Sequence, residues 1–172
     1  MRGVPPPVDL VNRMFSLPQN NHPERMWVLA HLTDGIIFDL GCGSNRTVAY
    51  AIGVDVLPVT DITCSIDEMP MIGDGFADVL ISRHSLEHLS DPKKALNEWK
   101  RILMPGGVIV IVLPDDEFID TMHPVLSAGK HLQAFTRDSF RKVVEEVGGL
   151  EVLTLETVVP DWSFGGVLRK EL

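Results

Sequence analysis

Four short stretches of consecutive apolar residues recur along the chain, at residues 36–40, 51–56, 78–82 and 108–113. They are rich in Ile and Val and do not alternate between polar and apolar positions. Continuous apolar runs of this length are typical of strands in a parallel sheet that is covered on both faces. Helical patterns separate some of them, which predicts a doubly wound α/β domain.

Apolar residues at helical spacing predict the connecting helices. One begins at Pro23, carries Met26, Trp27, Leu29 and Ala30, and ends at Gly35. A second begins at Asp91-Pro92 and is ended by the Pro-Gly-Gly at residues 105–107, and Thr136 caps a third. Residues 151–159 and 162–169 flank Pro160-Asp161, which predicts an antiparallel hairpin at the end of the sheet.

Length and composition favour one globular domain over residues 1–172, with residues 1–22 as an N-terminal arm and residues 114–135 as a substrate-side loop. The net charge of −9 disfavours a nucleic-acid partner. Cys42 and Cys64 lack the spacing of a zinc site or a disulfide scaffold, so we expect reduced thiols and no metal. With no apolar run long enough for a membrane span and no signal-peptide pattern, we expect a soluble cytoplasmic protein of open oligomeric state.

A glycine-containing turn, Asp39-Leu-Gly41-Cys42-Gly43, directly follows the first predicted strand. Glycines let the backbone approach a ligand closely, and ligands bind at the carboxyl ends of parallel strands. A dinucleotide fingerprint needs a third glycine, but Arg46 stands there. By itself this pattern fits an ordinary strand-to-helix turn equally well. Asp55 ends the second strand, where a carboxylate can accept hydrogen bonds from both ribose hydroxyls; otherwise it is a cap or a surface charge.

Four blocks in order make the chain resemble the class I S-adenosylmethionine-dependent methyltransferases, with the broad group of small single-domain members as the nearest match. They are IFDLGCGS (37–44), GVD (53–55), FADVLISRHSLEHL (76–89) and NEWKRILMPGG (97–107). The resemblance implies a Rossmann-like methyltransferase fold, a seven-stranded sheet with an antiparallel C-terminal hairpin, and S-adenosylmethionine as cofactor with S-adenosylhomocysteine as product.

The resemblance also implies roles for matching residues. Gly41, Cys42 and Gly43 would hold the methionine part of the cofactor, and Asp39 would order that loop. Asp55 would bind the ribose hydroxyls. The remaining cofactor candidates are Val56, Ser65, Ile66, Asp67, Met69, Arg83 and His84.

The sequence departs from the family pattern at two places. Only eleven residues separate Gly41 from Gly53, which predicts a shortened first helix of one turn or none. Ser65 occupies the position where the family often has an adenine-contacting acid, so backbone groups of Ile66 or Asp67 would serve instead.

Histidine is the natural general base at neutral pH. His84, after the fourth strand, is the first catalytic candidate, although it also fits a polar loop residue. His88 follows one helical turn later, but the HExxH order of a metal site is absent. His123, a second catalytic candidate, and His131 flank a loop of small and apolar residues that could close over the acceptor; an ordinary surface loop explains each singly.

The leading hypothesis is therefore a methyltransferase acting on O or N of a small molecule or sugar. Two alternatives stay open at this point. One is a methyltransferase-like module that binds the cofactor without transfer. The other is a dinucleotide-binding oxidoreductase, which the missing third glycine disfavours.

Overall fold

The computed structural model describes residues 22–128 and 130–172. In this part of the chain, seven strands form one sheet in the order β3-β2-β1-β4-β5-β7-β6. The strands β1 to β5 run parallel, and β7 lies antiparallel between β5 and β6. Their bounds are β1 (Ile37–Leu40), β2 (Ile52–Asp55), β3 (Ile62–Thr63), β4 (Ala77–Arg83), β5 (Leu103–Pro114), β6 (Leu150–Val159) and β7 (Ser163–Lys170). The predicted α/β class, mostly parallel sheet and antiparallel C-terminal hairpin are confirmed.

Four helices accompany the sheet in the described residues: α1 (Pro23–Ala30), α2 (Pro92–Ile102), α3 (Pro124–Ser127) and α4 (Arg137–Val147). Asp91 caps α2 by accepting a hydrogen bond from the Lys94 amide at 3.0 Å. Thr136 and Ser139 form a reciprocal capping box at the start of α4. These caps are the helix starts that the sequence predicts.

Apolar side chains cover both faces of the sheet. On one face, Phe38 of β1 and Leu80 of β4 pack with Trp99 of α2 and Phe140 of α4. The other face is covered by a smaller cluster that includes Val28 of α1 and the loop residues Val48 and Ala51, packed on alternate strand positions such as Ile37, Val79 and Val110. Burial on both faces explains why the strands are continuously apolar.

A loop, with no helix in its described residues, joins β1 to β2. Buried Asp39 accepts a hydrogen bond from the Thr47 amide at 2.5 Å. Arg46 donates to the Ala51 carbonyl at 3.2 Å and pairs with Asp61 at 2.8 Å. These bonds fold the loop back onto the sheet, so Val48 and Ala51 provide the cover that a longer helix would give. The sequence predicted a first helix of one turn or none, and the described residues of this loop contain none.

The structure corrects several local predictions. Helix α1 ends at Ala30, before Gly35, and its buried side chains are Glu24 and Val28 while Met26 is 52% exposed. Helix α2 ends at Ile102, and β5 already begins at Leu103, so the Pro-Gly-Gly lies inside the strand. Of the predicted N-terminal arm, residues 1–21 lie outside the described residues. Among those described, no helix is long and apolar enough to cross a membrane.

Candidate cofactor and acceptor site

Two cavities lie at the carboxyl ends of the parallel strands. The first, the cofactor-side cavity, has a volume of about 510 Å³ and is lined by Gly41, Asp55, Val56, Ser65 and Ile66, among others. The second, the acceptor-side cavity, has a volume of about 490 Å³. Its lining includes His22, Glu24, Arg83, Ile119, Leu126, His131 and Trp162. His84, His88 and Lys130 line both cavities, so the two spaces meet at these side chains.

The glycine turn and Asp55 form one wall of the cofactor-side cavity. The Gly43 amide donates to one carboxylate oxygen of Asp55 at 2.9 Å, and the Leu57 amide donates to the other at 2.9 Å. Gly41 and Gly43 both have positive φ, and a Cβ at Gly43 would meet no atom within 4 Å. The loop therefore presents backbone with little steric cover beside a carboxylate, an arrangement that fits the amino-acid and ribose parts of a nucleoside cofactor.

Asp39 and Cys42 shape the loop from behind. Burial, opposed by hydrogen bonds from Thr47, raises the pKa of Asp39 to about 6. Burial and the charges of Asp39 and Asp55 raise the pKa of Cys42 to about 11, so this residue is a thiol at neutral pH. Neither side chain lines the cofactor-side cavity. The side chains of Asp39 and Cys42 are therefore placed to order the loop and not to line this cavity.

Only some of the residues predicted to lie near adenine line the cofactor-side cavity. Ser65, Ile66 and Val56 line the cavity, whereas Met69 is fully buried in the core. The Ser65 hydroxyl donates to Asp67, and Lys94 binds the same carboxylate at 3.1 Å. This pairing holds the pKa of Asp67 below its ordinary value and turns the carboxylate away from the cavity lining.

His84 is placed where the sequence predicts but lies between two carboxyl groups. Its Nε2 donates to both oxygens of Glu24, each at 3.0 Å, and its Nδ1 lies 3.4 Å from Glu87 Oε1. Burial opposes the charged imidazole, but Glu24 and Glu87 overcome this and raise the pKa of His84 to about 10. A protonated imidazole does not accept a proton at neutral pH, which corrects the general-base role expected of His84.

The histidines of the substrate-side loop take different positions. His123 caps α3 by accepting a hydrogen bond from the Val125 amide at 3.3 Å, and it lines neither cavity. This corrects the catalytic placement expected of His123. His131 lines the acceptor-side cavity instead.

The cavity-lining residues that the sequence analysis did not single out include Glu24, Lys130 and Trp162. Glu24 carried no local signal, because a charged residue in the first turn of a helix normally faces solvent. Its burial is compensated mainly by His84, which lies sixty residues later in the chain, and His22 Nδ1 lies 3.6 Å from the same carboxylate.

Comparison with known proteins identifies the family to which this chain belongs. A sequence profile described as a methyltransferase domain matches residues 9–155. The chain belongs to this methyltransferase family. The prediction of a class I S-adenosylmethionine-dependent methyltransferase is thereby confirmed for family and fold, and the oxidoreductase alternative is excluded.

One curated protein also shares sequence similarity with this chain. A curated relative, an uncharacterized 37.1 kDa protein in transposon TN4556 of Streptomyces fradiae, is 29% identical over 130 residues. The match covers 62% of this chain and 37% of that protein, so the chain spans well under two thirds of its relative's length.

Solved structures share the fold of this methyltransferase. The 1,6-didemethyltoxoflavin-N1-methyltransferase of Burkholderia thailandensis, bound to 1,6-didemethyltoxoflavin and S-adenosylhomocysteine, has a TM-score of 0.71 and 17% identity, with 95% of this chain and 83% of that chain covered. The Haloferax volcanii protein called a putative methyltransferase, in complex with the Trm112 methyltransferase activator, has a TM-score of 0.70 and 16% identity, with 94% and 95% covered. At these identities the likeness establishes the fold alone.

Proposed function

We propose that this methyltransferase transfers a methyl group from S-adenosylmethionine to an oxygen or nitrogen of a small polar molecule or sugar. One observation carries the proposal: a cofactor-side cavity built on the glycine turn and Asp55 meets a second, separate cavity at His84, His88 and Lys130. Methyl transfer needs two ligands held end to end, and two connected cavities provide that arrangement.

The residues of the cofactor-side cavity fit the parts of the cofactor. The backbone of residues 41–43 would bind the methionine moiety, and Asp55 would accept hydrogen bonds from the ribose hydroxyls while it also fixes the Gly43 amide. Ile66 and the exposed Val56 provide apolar contacts for adenine. Bound S-adenosylmethionine would supply a methyl group already activated on sulfur.

The lining of the acceptor-side cavity indicates the acceptor class. The lining combines charged groups, including Glu24, Arg83 and Lys130, with the apolar surfaces of Ile119, Leu126 and Trp162. Such a mixed lining suits a molecule with hydroxyl or amino groups on an apolar ring. A macromolecular acceptor is disfavoured, because the cavity volume of about 490 Å³ corresponds to a small ligand.

The protein's own contribution to the reaction is positioning and charge. The acceptor's lone pair must point at the methyl carbon, so that the carbon–sulfur bond breaks with its electron pair left on sulfur and the acceptor loses a proton. The pair of Glu24 and protonated His84 fixes the polar surface where the cavities meet. The acceptor's proton must pass to a group other than His84, because that imidazole is already protonated.

A panel of sugars, phenols and amines, incubated with S-adenosylmethionine carrying a labelled methyl group, tests the acceptor class. We expect transfer to at least one small hydroxyl or amino compound, with loss of transfer on Trp162→Ala, which removes the apolar wall. The exposed Val125→Ala, on α3 outside both cavity linings, is the matched control and should retain activity. Label transferred only to protein or nucleic acid would contradict the proposal.

A further inference from the structure

Two histidines and a glutamate converge at the junction of the two cavities. Glu87 and His88 lie on the 3₁₀ turn Leu86–His88, and His131 comes from the loop after α3. One donor atom from each of the three residues lies within 4.8 Å of the others. His88 lines both cavities and His131 lines the acceptor-side cavity. The sequence spacing gives no hint of this cluster, because His131 is far from the turn along the chain.

Backbone carbonyls orient both imidazoles. His88 Nδ1 contacts the Lys130 carbonyl at 3.1 Å, and His131 Nδ1 contacts the Thr121 carbonyl at 2.7 Å. A carbonyl oxygen can only accept, so each Nδ1 carries the proton and each Nε2 is left with the lone pair in the neutral ring. Ligand histidines in metalloproteins are commonly oriented by such second contacts.

The carboxylate of Glu87 is buried without a donor. Its side chain is 0% exposed, and neither oxygen has a hydrogen-bond partner among the described residues. The nearest cationic atom is His84 Nδ1 at 3.4 Å, and His131 Nε2 lies 4.0 Å from the same oxygen, Oε1. The carboxylate is thus paired with His84 by charge, and its oxygens keep lone pairs that can coordinate a bound cation.

The polypeptide holds these groups in place. The amides of Leu132 and Gln133 donate to the Glu87 carbonyl at 2.8 and 3.0 Å. The segment that carries His131 is thus hydrogen-bonded to the turn that carries Glu87 and His88. The three donors are fixed relative to one another by main-chain bonds, as a binding site requires.

We propose that Glu87, His88 and His131 bind a divalent transition-metal ion, with Zn²⁺ as the best fit, at the junction of the two cavities. Two imidazole nitrogens and one carboxylate favour zinc over Mg²⁺ or Ca²⁺, which prefer oxygen ligands. Three protein ligands leave a fourth position open toward the acceptor-side cavity. Tetrahedral zinc places donors about 3.3 Å apart, so the three groups must close by about 1 Å on binding.

The role of this ion rests on the proposed function. An acceptor hydroxyl or water in the open position becomes more acidic, because the ion stabilises the oxyanion. The hydroxyl proton would pass to solvent, the metal-bound oxygen would attack the methyl carbon, and the carbon–sulfur bond would break with its electron pair on sulfur. The metal site would thereby activate the acceptor hydroxyl, a role that the ion-paired His84 does not fill.

Calorimetric titration of untagged, chelator-treated protein with Zn²⁺ tests the site without reference to activity. We expect one Zn²⁺ per chain, weak or absent binding of Mg²⁺, and a loss of at least about 100-fold in zinc affinity in His88→Ala and in His131→Ala. His31→Gln is the matched control, because His31 contacts the Trp27 carbonyl outside both cavity linings. Bound Co²⁺ should show a visible absorption band in the wild type and in His31→Gln but not in the other two variants.

The outcome separates this site from the proposed function. Zinc binding that is lost in His131→Ala, a residue outside the lining of the cofactor-side cavity, with S-adenosylhomocysteine binding retained, supports the metal site whether or not methyl transfer is found. Absence of zinc binding to the wild type, or unchanged affinity in both His88→Ala and His131→Ala, overturns it. Circular dichroism of each variant checks folding, and His88→Gln replaces any variant that unfolds.

Discussion

His84 has a positive φ of 52°, a conformation that is unusual for a residue with a Cβ. Its amide donates to the Val112 carbonyl of β5 at 3.0 Å, which fixes the backbone at the end of β4. The side chain then meets the buried carboxylate of Glu24 from α1. This strained backbone conformation places the imidazole between two buried carboxyl groups, and the resulting charge pairing offsets the cost of the strain.

This ion pair predicts how stability depends on pH. The pKa of His84 is raised from 6.5 to about 10, so its contribution to stability is fully present below pH 6.5 and is lost as pH rises through 10. The pKa of Glu24 is lowered from 4.5 to about 2, because His84 outweighs the effect of burial. The contribution of Glu24 is present above pH 4.5 and is lost as pH falls through 2.

Urea unfolding between neutral pH and about pH 10 measures the alkaline limb. We expect the free energy of unfolding of the wild type to fall over this range and that of His84→Gln to fall much less. Removing one partner of the pair should itself cost about 3–5 kcal/mol near neutral pH. Equal alkaline slopes in the wild type and in His84→Gln would show that this pair does not carry the dependence.

The two glycines of the cofactor turn predict different losses of stability for the same substitution. At Gly41 a Cβ would lie 2.5 Å from the Ser85 Cβ and 2.3 Å from its hydroxyl, and φ is +71°. At Gly43 φ is +54°, but the space is open. We expect Gly41→Ala to cost about 2–5 kcal/mol and Gly43→Ala about 1–2 kcal/mol, measured by urea unfolding. Comparable losses in the two variants would contradict the packing of Ser85 against Gly41.

At the scale of elements, α2 supports the cofactor-side cavity through one buried side chain. Trp99 is fully buried, and its indole Nε1 donates to the Ile66 carbonyl at 2.8 Å. Ile66 lines the cavity wall. The helix is thereby connected to the site without any of its own residues facing the ligand.

Trp99→Phe removes this hydrogen bond and leaves the buried Ile66 carbonyl unpaired. We expect a loss of about 2–4 kcal/mol in the free energy of unfolding and a weakening of S-adenosylhomocysteine binding by about 1 kcal/mol. Phe140→Leu is the matched control, since Phe140 of α4 is equally buried in the same cluster without contacting Ile66's carbonyl. An unchanged cofactor affinity in Trp99→Phe would show that the wall does not depend on this bond.

The elements that the sequence predicts best are those with a strong local signal. Strand β5 and helix α4 follow from a long apolar run and from the Thr136 cap. Strand β3 has two residues and α3 has four, too short to leave a periodic pattern. The buried side of α1 was mispredicted because the buried Glu24 is compensated mainly by its long-range contact with His84, which no local pattern reveals. Gly41 and Asp55 stand in local sequence motifs, so the sequence could predict them as candidate site residues. Lys130 and the cluster around Glu87 come together only through long-range contacts, which the sequence does not reveal.

At the scale of the whole molecule, the sheet brings distant segments to one edge. The parallel register of β1, β2 and β4 aligns Leu40 with Val54 and with Ser82, so the loops that follow these strands share one end of the sheet. The glycine turn, Asp55 and His84 belong to these loops. The site is thus a consequence of strand order, and each of its residues alone would be ambiguous.

Calorimetric titration with S-adenosylhomocysteine tests the central claim most directly. We predict one cofactor site per chain, a loss of about 1.5–3 kcal/mol in binding free energy for Asp55→Ala, and retained affinity for Asp74→Ala. Asp74 is the control, because this exposed carboxylate pairs with Arg101 and does not line the cavity. No binding to the wild type at millimolar ligand, or equal affinity of the wild type and Asp55→Ala, would contradict a cofactor site built on the glycine turn and Asp55.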